Sequence, residues 1–354
     1  MKNRILRTFS YAILSCSLLA STCLVAAPVA LKRQQSNIQT PALNWALEDD
    51  QAGSLHISKS YSQVNSGKDV IVAVIDTGVD STHPLIKNNL LSHDGKGQAS
   101  SNDFGMDFSS SNKNNYRPND QHGHGTHIAG IIKSVFPKVK ILPIKYYNPD
   151  AGEQTNLNAT VQSIEYAVSM GVDIINYSSG GAGASLDELR ALKKAESQGI
   201  LVVAAAGNYG ADIDRPENRY YPASYGLKNI LTVINHDQNL KLNPSSNFGK
   251  NSADISAPGS RIRSSLPHGR YGYLSGTSQS TAFVSGVAAM IKSRFPDATP
   301  TQIKEIIKKS ARKSTLLSGR CQSEGALDAE LALNQSYQFF NVAKPEGTRK
   351  LAGY

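Results

Sequence analysis

The sequence predicts an α/β protein with a doubly wound, mainly parallel central sheet that is flanked by helices. Short apolar runs recur along the chain, as expected of strands that are buried on both faces of a parallel sheet. Patterns with helical spacing lie between these runs, and this alternation is typical of sheets whose ligands bind at the carboxyl ends of the strands. The apolar runs are 70–75, 140–145, 173–176, 200–206 and 229–234, and the helical patterns are 127–135, 158–170 and 186–198.

A further helix is predicted over 277–294, and its composition is unusual. Small residues occur nearly all round it, among them Ser280, Ala282 and Gly286. A helix with such small sides can pass through a protein core at close range. Ser278 lies in its first turn, where free N–H groups and partial positive charge favour a developing anion.

Residues 1–30 are predicted to be a secretory signal peptide. Lys2, Arg4 and Arg7 precede an apolar run that ends in small residues, which is the composition of such a segment. A retained membrane anchor is the alternative, but the run is short and is interrupted by Ser and Thr. We therefore predict a secreted or periplasmic protein without a stable membrane span.

The composition indicates how many domains the chain forms, whether a disulfide can stabilise it and which partners it can bind. The 354 residues are 40% hydrophobic and 18% charged, which fits a globular protein of one large or two modest domains. Loss of the signal peptide lowers the formal charge from +9 to +6 and leaves Cys321 as the only cysteine, so no internal disulfide can form. Because the positive charge is spread along the chain, we predict no nucleic-acid partner, and we expect a monomer.

Three short segments supply the side chains of a possible nucleophilic site. They are V-I-D-T-G-V-D around Asp76, H-G-H-G-T-H-I-A-G around His124, and S-G-T-S-Q-S-T around Ser278. A carboxylate that orients an imidazole, and an imidazole that takes the proton of a hydroxyl, together activate a serine for attack. Each segment alone is weak evidence, because Asp and Ser are common beside glycine.

Together, and in the order Asp, His, Ser, the three segments resemble the subtilases, the subtilisin-like serine peptidases. Chymotrypsin-like enzymes and α/β-hydrolases arrange the same three groups in other orders. The resemblance covers about residues 43–333 and includes A-P-G at 257–259. It implies a serine endopeptidase that forms an acyl-enzyme on Ser278, with His124 as general base and Asp76 orienting the imidazole.

The resemblance also implies the organisation of the chain and the residues that meet a substrate. Residues 31–60 would form an N-terminal arm that wraps the peptidase domain at 61–333, and residues 334–354 are predicted to be an irregular tail. Asn208 would donate to the oxyanion. Peptide or protein substrates would be bound by Ser178, Ser179, Gly180, Asp120 and Tyr220, and Tyr220 would shorten the primary pocket.

Two alternatives to this enzyme remain open from the residues. The residues at 279–283 depart from the M-A-T/S-P-H pattern of the family, which leaves a catalytically silent subtilase fold that binds peptides. His122, His124 and His127 form H-x-H-x-x-H, which is close to a zinc-hydrolase signature. We predict no cofactor and no metal-ligating residues. Calcium binding stays open, but we assign no calcium site, because Leu85 stands where the family commonly has a calcium-binding aspartate.

Overall fold

The structure is a computed structural model that describes residues 44–58, 60, 67–100, 103–110 and 115–344. All of these residues belong to one compact unit. The predicted signal peptide and the first part of the predicted arm lie outside the described residues. Among the residues that are described, no helix is both long and apolar enough to cross a membrane.

Within the described residues, a nine-stranded sheet forms the centre of the protein. Its strands are β1 (Ile71–Asp76), β2 (Met106–Asp107), β3 (Lys140–Lys145), β4 (Ile174–Tyr177), β5 (Leu201–Ala205), β6 (Ile230–His236), β7 (Ile255–Pro258), β10 (Arg312–Lys313) and β11 (Gly325–Ala326). Their order is β10-β11-β7-β6-β5-β4-β1-β3-β2, and every pair is parallel except β10 with β11. A separate antiparallel hairpin joins β8 (Ile262–Leu266) to β9 (Arg270–Leu274). The predicted fold class is confirmed.

Helices cover both faces of the sheet. They are α1 (His124–Val135), α2 (Glu153–Ser169), α3 (Leu186–Ser197), α4 (Thr277–Arg294), α5 (Pro300–Lys309) and α6 (Ala329–Phe339). One apolar core lies beneath α1, α4, α5 and α6, and a second lies beneath α2 and α3. Helix α2 begins five residues before the predicted start, because its first turn is polar and largely exposed and so carries no apolar periodicity.

The predicted boundary of an irregular tail at 334 is wrong. Helix α6 continues to Phe339, because its last turns are part of the core. The ring of Tyr337 packs edge-on against Phe295 with 5.2 Å between centroids, and its hydroxyl accepts a hydrogen bond from Arg294 Nε at 3.0 Å. Residues 345–354 lie outside the described residues.

Helix α4 passes through the centre of the larger core, as its small residues predict. All of its residues are buried except Lys292 and Arg294 near its end. At Gly286 a Cβ atom would lie 2.6 Å from Val135 of α1. Only glycine therefore allows the two helices to pack this closely, and the close packing fixes the start of α1 relative to the start of α4.

The described part of the predicted arm is built into the domain. Trp45 donates from Nε1 to the carbonyl of Ser260 at 3.0 Å, while Leu55 and Ile57 are completely buried. The guanidinium of Arg312 donates to the carbonyl of Ser54 at 3.1 Å. Residues 44–57 therefore contribute to the core and to its hydrogen bonds.

We expect Leu55→Ala to lower the free energy of unfolding by about 2–5 kcal/mol, the range for removal of a buried leucine side chain. The matched control is Leu186→Ala, because Leu186 is 70% exposed and its truncation should change stability by less than about 0.5 kcal/mol. Chemical denaturation of both variants measures the difference. Equal stabilities would show that the arm does not support the domain.

Candidate active site

The carboxyl-terminal edge of the sheet brings the three predicted catalytic residues into one region. Asp76 is the last residue of β1, His124 is the first residue of α1, and Ser278 is the second residue of α4. In parallel sheets this edge collects the loops that carry ligand-binding groups. Strand ends and helix starts, which are rigid, thus position all three side chains.

A short hydrogen bond joins Asp76 to His124. The Nδ1 atom of His124 lies 2.7 Å from Oδ1 of Asp76, and the same oxygen accepts from the backbone N–H of Thr77 at 2.8 Å. Asp76 is 3% exposed. With Nδ1 engaged by the carboxylate, Nε2 of His124 is the ring nitrogen that can accept a proton.

Two glycines allow α1 to start this close to β1. Gly123 precedes the helix with a φ of 98°, a backbone conformation that favours glycine. A Cβ atom on Gly125 would lie 2.1 Å from the carbonyl oxygen of Gly78 and 3.1 Å from Oδ1 of Asp76. The H-G-H-G pattern is therefore needed for the Asp76–His124 contact.

Asp120 does not line the substrate groove as predicted. It is 7% exposed, and its Oδ1 accepts hydrogen bonds from the Thr77 hydroxyl and from the backbone N–H of His122 and Gly123. Its Oδ2 accepts from both the N–H and the hydroxyl of Thr126. These bonds use the carboxylate to hold the turn before α1, so Asp120 positions the histidine.

Burial and the neighbouring carboxylates have opposite effects on the pKa of His124. Burial alone would lower the pKa, but the Asp76 carboxylate raises it by its charge and its hydrogen bond, and Asp120 adds to this effect. The net result is a pKa raised above the ordinary value for histidine. The carboxylate therefore stabilises the imidazolium that forms when His124 accepts a proton.

The three histidines of the zinc alternative do not converge. His127 is buried one turn further along α1, and its Nε2 lies 3.1 Å from the carbonyl oxygen of Ile262 and 3.3 Å from that of Gly272. Burial, with a contribution from His124, lowers its pKa to about 4. In the described ranges, no group of three or more His, Cys, Asp or Glu residues has a metal-binding arrangement. Instead, His127 holds the β8–β9 hairpin on α1.

Ser278 is tied to the segment that follows β4. Its hydroxyl donates to the carbonyl of Ser178 at 2.9 Å, and no hydrogen bond to His124 is found among the described contacts. In this structure the hydroxyl of Ser278 is therefore engaged by a backbone carbonyl. Catalytic hydrogen bonds are often absent or long without substrate and form in the complex.

Asn176, which the sequence analysis missed, supports this arrangement. Its side chain is completely buried, and its Nδ2 donates to the hydroxyl of Ser178 at 2.7 Å while its Oδ1 accepts from the hydroxyl of Ser285 at 2.9 Å. The asparagine thus connects the end of β4 to helix α4. In the sequence, the amide side chain of Asn176 within an otherwise apolar strand could have indicated this role.

Asn208 lies beside the start of α4. Its Oδ1 accepts from the backbone N–H of Thr277 at 2.9 Å and from the Thr277 hydroxyl at 3.1 Å. Since the oxygen is engaged, the Nδ2 amino group is the donor that remains for a ligand. Asn208 is exposed, so an approaching substrate can reach it.

Gln279 occupies the position directly after the serine. It is 1% exposed, and its Nε2 is a buried donor without a hydrogen-bond partner in the described part of the chain. A Cβ atom on Gly276 would lie 3.2 Å from Oε1 of Gln279 and 3.3 Å from Nδ2 of Asn208. The departure from the family pattern therefore places a second side-chain amide, besides that of Asn208, next to Gly276.

Two of the predicted substrate residues, Ser178 and Ser179, line a pocket. A pocket of about 140 Å³ adjoins the imidazole and is lined by Asp76, Thr77, His122, His124, Tyr146, Tyr147, Ser178 and Ser179. Gly180 lies beyond Ser179 and is exposed. Tyr220 lies on the other side of Gly180, with its ring against the glycine backbone. Unlike Asp120, these residues are at the surface or line a pocket.

Comparisons with known proteins agree with the fold. The model of the subtilase family matches residues 67–336. The major intracellular serine protease of Bacillus subtilis (strain 168) is 35% identical over 248 residues, which cover 68% of this chain and 73% of that protein. Subtilisin E of the same organism is 34% identical over 262 residues and 71% of this chain, but the match spans only 62% of its own length.

A solved structure shows the same architecture. The crystal structure of a cold adapted subtilisin-like serine proteinase superposes with a TM-score of 0.67 at 26% sequence identity, and the match covers 81% of this chain and 98% of the other. The family match extends over all the strands and over the residues around Asp76, His124 and Ser278. The chain therefore belongs to the subtilase family of serine proteases.

Proposed function

We propose that this chain is a serine endopeptidase that hydrolyses peptide bonds through an acyl-enzyme on Ser278. The observation that carries the proposal is the 2.7 Å contact between Nδ1 of His124 and Oδ1 of Asp76. This contact directs Nε2 of the imidazole away from the carboxylate, at the edge of the sheet where helix α4 begins. His124 is the general base, and Asp76 orients it.

The first step forms the acyl-enzyme. His124 Nε2 takes the proton of the Ser278 hydroxyl while Oγ attacks the carbonyl carbon of the scissile bond. The carbonyl oxygen becomes an oxyanion, which accepts hydrogen bonds from Nδ2 of Asn208 and from the backbone N–H of Ser278. The imidazolium then gives its proton to the leaving amine as the C–N bond breaks.

The second step releases the acyl product. A water molecule gives a proton to His124 Nε2 and attacks the ester carbon, and the same donors receive the oxyanion. The proton returns to Oγ of Ser278 as the ester bond breaks. The backbone of Ser178, Ser179 and Gly180 pairs with the extended substrate, which provides affinity that is largely independent of sequence.

The same site could bind peptides without cleaving them, and the residues after Ser278 suggested this alternative. Two of these residues, Ser280 and Thr281, make hydrogen bonds that support the start of α4, and this favours the enzyme. Ser280 donates to the carbonyls of Ala257 and Pro258 at 3.0 and 3.1 Å, and Thr281 donates to that of Thr277 at 2.8 Å. Ser280 and Thr281 thus hold the start of α4 in place.

We further propose that the protein is exported and acts as a monomer on peptide or protein substrates, without a nucleic-acid partner. The basic and apolar pattern of residues 1–30 supports export. A compact unit that buries Leu55 and Ile57 within its own core supports a fold that needs no second subunit. N-terminal sequencing of the protein from the culture medium and the periplasm tests export.

Labelling by a fluorophosphonate probe tests the proposed reaction. We expect the wild-type protein to be labelled and Ser278→Ala to be unlabelled, because the probe reacts only with an activated serine hydroxyl. Ser197→Ala is the matched control, because Ser197 is exposed at the end of α3 and labelling should persist. Circular dichroism verifies that each protein is folded. Absence of labelling in folded wild-type protein would establish the silent alternative.

The Asp76→Asn substitution tests the role of the carboxylate. We expect kcat to fall by about 10⁴-fold, the loss known for this change in a Ser-His-Asp triad. Because the base must be neutral, kcat/KM of the wild type should rise with pH through a pKa that is raised above the ordinary value. Without the carboxylate burial dominates, so the acid limb of the pH profile should move to lower pH.

The control for this substitution is Asp103→Asn. Asp103 forms a similar pair with His93 at 2.9 Å on the surface, far along the chain from the serine. Its removal should leave both kcat and the acid limb unchanged. An acid limb that stays in place in Asp76→Asn would mean that Asp76 does not set the pKa of the base.

Asn208→Ala tests the oxyanion donor. We expect kcat to fall by about 10²–10³-fold with little change in KM, which is the size of the loss when the corresponding donor is removed from subtilisin. Asn208 has two proposed roles, as acceptor for the Thr277 N–H and as donor to the oxyanion. Asn208→Asp separates them, because it keeps the acceptor but has no amide donor. Both variants should lose activity. Full activity in Asn208→Asp would show that Asn208 acts only by supporting Thr277.

A further inference from the structure

His236 at the end of β6 is completely buried and takes no part in the proposed reaction. Its Nε2 lies 3.0 Å from the carbonyl oxygen of Gly53 in the N-terminal arm, and its Nδ1 lies 2.8 Å from the hydroxyl of Ser256 on β7. A carbonyl oxygen can only accept a hydrogen bond, so Nε2 carries the proton of the neutral ring and Nδ1 accepts from the serine. The imidazole therefore connects the arm to two strands of the sheet.

The arm also packs closely against the chain that follows β6. The N–H of Gly53 donates to the carbonyl of Gln238 at 2.9 Å. A Cβ atom on Gly53 would lie 2.5 Å from the carbonyl oxygen of Asp237, so only glycine allows this contact. The ring of Trp45, also in the arm, has its centroid 6.5 Å from that of His236. The imidazole and the two residues after it thus hold the arm on the domain.

The surroundings of His236 disfavour a positive charge on the ring. Burial lowers its pKa and the guanidinium of Arg312 lowers it further, while the hydrogen bond to Gly53 and the carboxylate of Asp237 raise it. The net result is a pKa of about 4. The Asp237 carboxylate accepts from two backbone N–H groups of the following turn at 2.9 and 3.0 Å, so it is directed to that turn.

The guanidinium that opposes this charge is itself part of the attachment of the arm. Arg312 donates to the carbonyls of Ala52 and Ser54. It also lies 3.2 Å from the carboxylate of Asp328, and that carboxylate lies 2.8 Å from Nδ1 of His56. These two groups occupy Asp328. Among the described residues, the hydrogen bonds of the buried imidazole are thus made to a carbonyl and a hydroxyl, not to a carboxylate.

We propose that His236 is an acid-sensitive latch, which releases the N-terminal arm at residues 44–57 when its ring is protonated. A proton on Nδ1 turns the Ser256 hydroxyl from donor to acceptor, and no other acceptor for that hydroxyl is found within the described residues. The imidazolium is then a buried charge without a hydrogen-bonded carboxylate, which is costly. Departure of the arm admits water to the ring and removes this cost.

The direction of the pH dependence follows from the two states of the arm. With the arm released and the ring in water, His236 has the ordinary pKa of 6.5, whereas with the arm attached its pKa is about 4. Between these values the released form binds more protons, so its share rises as the pH falls. The rise is at most about tenfold per pH unit, or about 300-fold from pH 6.5 to 4. Above pH 6.5 the attachment does not depend on this histidine's charge.

Backbone hydrogen bonds connect the latch to the start of helix α4. Trp45 donates to the carbonyl of Ser260 at 3.0 Å. The N–H of Gly259 donates to the carbonyl of His236 at 3.1 Å, and the carbonyl of Gly259 accepts from Gly276 at 2.9 Å. The arm and His236 thus support the segment that holds the chain two residues before the proposed nucleophile. This consequence for the reaction rests on the proposed function, whereas release of the arm does not.

Hydrogen exchange measured by mass spectrometry tests the release of the arm. The protein carries Ser278→Ala, so that it cannot digest itself. We expect protection of residues 44–57, corrected for the intrinsic exchange rate, to fall by up to about 300-fold between pH 6.5 and 4. Strand β5 (201–205) is the internal reference, because global unfolding lowers the protection of both. His236→Gln keeps a side-chain donor for the Gly53 carbonyl but does not titrate, so the arm should stay protected.

Tryptophan fluorescence gives a second readout, because Trp45 is the only tryptophan of the chain. Its emission should shift to longer wavelength as the pH falls, and less so in His236→Gln. His56→Gln is the matched control, since it removes the other histidine of the arm, and the pH dependence should persist in it. Loss of the pH dependence in His56→Gln would overturn the assignment to His236.

The wild-type sequence at these positions is sufficient to refute the latch, even if His236→Gln does not fold. Protection of residues 44–57 that stays constant between pH 6.5 and 4, or that falls only together with that of β5, would overturn it. Neither readout requires cleavage of a peptide. The latch can therefore stand if the proposed peptidase activity fails, and it can fail while that activity stands.

Discussion

The buried carboxylate of Asp76 is the constraint on which the site depends. A charge that is almost completely removed from water is tolerated only when hydrogen bonds and a partner compensate for the lost hydration. Thr77 and His124 provide this compensation at 2.8 and 2.7 Å. To bring the imidazole this close, α1 must begin at the end of β1, and Gly125 must allow its backbone to contact Gly78. One hydrogen bond between side chains thus fixes a strand end, a helix start and a glycine.

Helix α4 determines the position of Ser278 in the same way as Asp76 determines that of His124. Its low-volume residues let it lie within the core, and its hydroxyl groups are all paired there, including that of Ser285 with Asn176. Buried polar groups of this kind cost stability unless they are satisfied, so their partners define where the helix can sit. The position of Ser278 is therefore set by packing along the whole helix.

The sequence was sufficient for the fold because the relevant signal is local. Strands buried on both faces appear as apolar runs, and α4 matches the predicted 277–294 because its composition is unlike that of any other segment. Asp120 and Asn176 could not be placed in this way. Their roles depend on partners that are distant in the sequence, such as Thr77 for Asp120 and Ser285 for Asn176. An acidic residue in a loop looks the same in the sequence whether it faces a substrate or the core.

The two proposed oxyanion donors are coupled through the start of α4. The first N–H groups of a helix have no partner within it, and Oδ1 of Asn208 satisfies that of Thr277. The N–H of Ser278, one residue on, has no hydrogen-bond partner within the described residues and is free for a ligand. The hydrogen bonds from Thr277 to Asn208 tie the asparagine side chain to the helix that carries the Ser278 N–H. The position of one proposed donor relative to the other therefore depends on this cap.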